Sequence, residues 1–119
     1  MPRIRYIDFS TGNELLDEGI ENYLMYGIGP GGFLTSVLTN DLYGAASRAD
    51  YHNRQKLAEI VTTLIHNMPP GSFGSKDALA GWYEDFNGIR TKWAESAKKK
   101  FMIKAIRNSD ATYPQNPPF

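Results

Sequence analysis

The 119-residue chain contains no cysteine. That absence excludes a disulfide scaffold, a thiolate nucleophile and any cysteine-ligated zinc or iron–sulfur site, and it favours an intracellular address. Histidine is almost as scarce, at two residues. No serine stands in a nucleophile-elbow setting, so a hydrolase triad has no base to be built on. His52, Glu59 and His66 are spaced seven apart, which is two helical turns or about 10.5 Å, too far for two imidazoles to share one zinc. No metal, cofactor or catalytic centre is expected. No apolar run approaches the ~20 residues of a membrane span, and Met1-Pro2-Arg3-Ile4-Arg5 lacks the apolar stretch of a secretory signal. The expectation is a cytoplasmic protein with no membrane partner.

Net charge is also absent, with 13 basic and 13 acidic residues, but the neutrality conceals a dipole. Residues 1–89 carry six basic and eleven acidic side chains, whereas residues 90–107 carry seven basic ones against Glu95 alone. Such asymmetry points to an acidic surface or a phosphate backbone as partner for the basic end, or to compensation inside the fold.

Hydrophobic residues make up 41% of the chain, enough for one buried core, and the length fits one domain over 1–119. Residues 1–12 alternate loosely, with Ile4, Tyr6 and Asp8 on one side and Arg5, Ile7 and Phe9 on the other, as in a short extended arm. A lone strand has no sheet, so it would pair with the tail or with its copy in a two-fold dimer. From Asn13 the helical period sets Leu15, Leu16, Gly19, Ile20, Tyr23, Leu24 and Tyr26 on one half and Glu14, Asp17, Glu18 and Glu21 on the other, with Thr11 or Asn13 as cap. Gly27 to Gly32 interrupts the chain. A second helix then reads from Phe33 to about Ala46 and a third from about Tyr51 to Asn67, capped by Asp50. A fourth starts at Ser75 and ends at Asn87-Gly88. The fold class is all-α: a compact bundle of about five helices, with a helical core over 13–88, a basic amphipathic helix over 89–108 and a Pro-rich tail over 109–119.

Three constellations stand out. The glycine-rich turn opens a helix, the geometry that presents free N–H groups to an anion, but it lacks the Lys-Ser/Thr ending of a phosphate loop and reads as a tight connection. Asp41 falls inside the apolar arc of the second helix and needs a partner there; with Arg48, Asp50, Asn53 and Arg54 it predicts a polar network at the junction of helices two and three. In the last helix, Ala94, Ala97, Phe101, Met102, Ala105 and Ile106 form an apolar arc, with Trp93 and Ile103 breaking the pattern. Arg90, Lys92, Trp93, Lys99, Lys100, Lys104 and Arg107 are the candidate partner-binding residues, because a basic amphipathic helix suits an acidic protein groove. Trp82, Trp93 and Tyr113 would be aromatic anchors if exposed.

The segments Tyr26-Gly27-Ile28-Gly29-Pro30-Gly31-Gly32-Phe33-Leu34, Val37 to Leu42, Ala49-Asp50 with Asn53, and Pro70 to Ser75 resemble small uncharacterised proteins of tailed bacteriophages and prophages, over residues 11–83. The resemblance implies a phage accessory protein, a kind that commonly binds and blocks a host factor or a defence complex. The expected function is thus non-enzymatic binding of a host or defence protein. Alternatives are a nucleic-acid or nucleotide binder using the same cations plus Lys98, with Trp93 as stacking surface, a minor virion component, and an enzyme built on the Asp41 cluster.

Overall fold

The computed structural model describes residues 5–112, the last five through their backbone alone. Seven α-helices and one 3₁₀ turn appear among the described residues, and no strand. The all-α expectation holds, while the helix count exceeds five because two anticipated helices are each divided. Residues 1–4 of the expected arm, 113–119 of the expected tail, and Tyr113 lie outside the described residues.

Helix α1 (Glu14–Tyr26) begins where the Asn13 side chain accepts from the amides of Leu15 and Leu16. It ends at Gly27, whose left-handed φ of 67° favours glycine. Helix α2 (Gly32–Leu38) and α3 (Leu42–Arg48) replace the single second helix. Asn40 turns left-handed at φ 66°, and the Asp41 carboxylate accepts from the Gly44 amide at 2.9 Å, restarting the helix as an N-cap. Helix α4 (Tyr51–Gln55) and α5 (Leu57–Asn67) replace the third. The break falls at Lys56, whose amide is shared between the carbonyls of His52 and Asn53. Ser75 caps α6 (Lys76–Glu84), which stops at a left-handed Asp85, three residues before the anticipated end. The 3₁₀ turn Phe86–Gly88 leads into α7 (Ile89–Thr112), which is helical through four residues assigned to the tail.

The main core packs Ile20, Tyr23 and Leu24 of α1 against Leu34, Leu38, Ile60, Leu64 and Trp82. Trp82 is 1% exposed, and its indole N–H donates to the carbonyls of Tyr23 and Leu24 at 3.2 Å. Its role as a surface anchor is therefore corrected: the largest side chain of α6 joins that helix to the last turn of α1. The Tyr23 hydroxyl donates to the Ser72 carbonyl at 2.7 Å, tying in the loop before α6. A smaller cluster of Met25, Ala94 and Ala97 seats the first half of α7 on α1.

Residues 5–12 form no strand. They lie across α1 and α7, with Ile7 in the main core and Tyr6 against the Phe101 ring, centroids 5.1 Å apart.

Candidate interaction surface

The start of α7 is fixed by a corner of polar contacts. Asp85 accepts from the amides of Arg90 and Thr91 at 2.7 and 3.0 Å, and also from the Thr91 hydroxyl. The Thr91 bonds hold the Asp85 carboxyl below the usual carboxylate range, with Arg90 adding to the effect. Arg90 turns back to donate to the carbonyls of Trp82 and Tyr83 at 3.0 and 3.2 Å, closing the end of α6. Its assignment to a partner surface is corrected: its guanidinium is spent on backbone carbonyls and lies over Gly27. Trp93 is half-buried, edge-on to Trp82 at 6.1 Å, and packs in both clusters rather than projecting.

Beyond Ala97 the helix packs through Phe101, against Tyr6, and its other side chains through Arg107 are exposed. Ala94, Ala97 and Phe101 face the body as anticipated, but Met102 and Ile106 are each 57% exposed, and Ala105 is also exposed. The apolar arc is rotated from the expected one because Trp93 turns inward. At about 100° per residue, Met102, Ile103 and Ile106 share the outer side with Lys92, Lys98 and Lys99, while Lys100 and Lys104 align with Trp93 on the inner side. Arg107 sits between the two sets by the same arithmetic. The anticipated cations are thus divided between two faces. None of these lysines, nor Arg107, is ion-paired among the described residues.

Two acids of the α1 flank, Asp17 and Glu21, are consumed elsewhere, and this is what periodicity missed. Asp17 and Glu21 are 2% and 1% exposed, whereas Leu15, expected on the core side, is 81% exposed. Asp17 accepts from the Ser10 hydroxyl at 2.5 Å, the Thr11 hydroxyl at 2.7 Å and the Thr11 amide at 2.8 Å. Arg5 lies 3.6 Å from Asp17 and 3.7 Å from Glu21, and the Tyr6 amide donates to Glu21 at 3.3 Å. The one available signal was that Arg5, Ser10 and Thr11 precede a helix with acids at four-residue spacing.

The polar network separates into parts. Asp41 and Arg48 are 3.9 Å apart at the surface, and Arg48 donates to the Ser36 hydroxyl at 2.9 Å. Asp41 is a half-exposed cap rather than a charge in an apolar arc, because the second helix breaks before it. Asp50 caps α4 by accepting from the Asn53 amide at 2.8 Å, and Asn53 accepts from Asn13 at 3.3 Å. Arg54 donates to the carbonyls of Ala46 and Ala49. The five residues serve helix ends and crossings.

A cleft of about 470 Å³ opens between residues 5–9, Asn67 and the inner side of α7. Arg5, Lys100 and Lys104 contribute cations, Asp8 a carboxylate, and Tyr6, Phe9, Trp93 and Phe101 the apolar walls. Among the described residues no group of three metal-ligating side chains occurs, and no helix is long and apolar enough to cross a membrane. No family model, curated protein or solved structure matches this chain.

Proposed function

We propose that this chain is a non-enzymatic phage accessory protein that binds a host or defence protein in the host cytoplasm through the outer side of α7. The observation that carries the reading is the exposure of Met102, Ile103 and Ile106 beside Lys92, Lys98 and Lys99, whose charges no described residue neutralises. Large apolar side chains on a free helix lose water favourably when they enter a groove, and acidic residues rimming that groove would meet the lysines. The phage assignment rests on the sequence resemblance; the docking assignment rests on this helix.

The test places a photo-crosslinking residue at Met102 in the intact chain, with a second version carrying it at Tyr43, which is 89% exposed on α3. In lysate of a bacterial host, the Met102 probe should capture one protein whose mapped contact is acidic, and the Tyr43 probe should not. Ile106→Asp should abolish the capture by placing a charge in the apolar stripe. Equal capture from both positions, or crosslinking to nucleic acid that collapses as salt rises, would refute the reading.

A further inference from the structure

The inner side of α7 carries a different chemistry from the outer side. We propose that the cleft between residues 5–9 and α7 binds a small aromatic phosphate of mononucleotide size, independently of the protein-docking surface. Its volume of about 470 Å³ lies in the range of small-molecule pockets, roughly 300–1,000 Å³. Trp93, Lys100 and Lys104 fall within about 40° of one another around the helix, so they line one wall in sequence from aromatic to cationic. Lys100 and Lys104 are separated by one turn, about 6 Å of rise, a spacing at which two ammonium groups can share the oxygens of one phosphate. Trp93, Ala97 and Phe101 all line the cleft, so a base entering it meets apolar and aromatic surface.

The local charges give the proposal a sign. Arg5 lines the cleft but is committed to Asp17 and Glu21 behind it, so the free positive charge is that of Lys100 and Lys104. Asp8 is the one carboxylate among the lining residues, and it opposes an anion. Removing a lysine should therefore weaken binding, and neutralising Asp8 should strengthen it.

The test titrates the intact, isotope-labelled chain with AMP and with UMP, following the Trp93 indole and the Lys100 and Lys104 amides by NMR, with adenosine, uridine and inorganic phosphate as controls. Saturable shifts are expected for both mononucleotides and at least tenfold weaker effects for the controls. Lys104→Gln should weaken binding about two- to fivefold, and Asp8→Asn should tighten it about two- to threefold, as for exposed ion pairs. Both side chains are exposed, and unchanged melting curves verify that the variants fold. The proposal is overturned if neither mononucleotide moves the Trp93 indole at millimolar concentration, if the nucleosides act equally well, or if Lys104→Gln changes nothing. Displacement of the mononucleotide by the protein captured at Met102 would overturn it too, since the cleft would then belong to that partner. Crosslinking at Met102 that persists in saturating AMP supports two separate sites.

Discussion

Replacing Asp17 by alanine should destabilise the chain far more than replacing Leu15, a reversal of what hydrophobic periodicity alone implies. Asp17 accepts three hydrogen bonds from Ser10 and Thr11 and faces Arg5 while almost wholly buried. A hydrogen bond to a charged group contributes about 1.5–3 kcal/mol, and three donors lose their acceptor together, while Arg5, one-third exposed, keeps Glu21. The expected loss for Asp17→Ala is therefore about 3–5 kcal/mol, a large share of the roughly 5–15 kcal/mol that holds such a domain together. Leu15→Ala, at a side chain 81% exposed, should stay within about 0.5 kcal/mol. Urea unfolding followed by tryptophan fluorescence and far-ultraviolet circular dichroism measures both. A corresponding drop of roughly 10–20 °C in Tm should accompany the first variant alone. Equal midpoints for Asp17→Ala and Leu15→Ala would refute the argument that residues 5–12 are clamped onto α1 by this carboxylate.

Burial, with Tyr83 as a second cause and Arg90 opposing, raises the Tyr23 hydroxyl well above its ordinary 10.0. A raised folded value means the associated stability is intact below pH 10 and is lost as pH climbs through the folded value. Phenolate absorbance should show Tyr23 ionising only as the chain unfolds in alkali; normal ionisation in the folded state would contradict its burial. Gly27→Ala should cost about 1–2 kcal/mol, because φ is left-handed and a Cβ there would come within 2.8 Å of the Arg90 guanidinium. Combined with Arg90→Ala in a double-mutant cycle, part of that cost should vanish; strict additivity would mean the two do not touch. Asp50→Ala should cost about 1 kcal/mol through loss of the α4 cap, read as a shifted denaturant midpoint, with no shift counting against the cap.

Caps were legible because their chemistry is local: Asn13, Asp50 and Ser75 each needed only the amides two or three residues onward. The break between α2 and α3 was hidden because Thr39-Asn40-Asp41 preserves the apolar spacing, so Asp41 was placed inside a helix it in fact begins. Lys56 has neither the missing amide of proline nor the freedom of glycine, and nothing local marks the break there. The inward turn of Asp17 and Glu21 was illegible for a different reason. A helical period sorts polar from apolar, but burial of a carboxylate depends on which distant groups arrive to satisfy it, here Arg5, Tyr6, Ser10 and Thr11. The basic helix was legible as a charge pattern. Its division into two faces was not, because that depends on Trp93 finding Trp82 across the corner.

The corner at Asp85 has a mechanical consequence. Five hydrogen bonds join the end of α6 to the start of α7, and Trp82, one helical turn before it, is wedged against the carbonyls of α1. The 24-residue helix, about 36 Å long, is thus fixed in direction at its first turn, and Ala94, Ala97 and Phe101 carry that direction along the body. A pull on Ile106 reaches the body as torque about that first turn. The first turn keeps its bearing under such a load, and strain imposed at Ile106 would register as a change in the surroundings of the Trp82 indole.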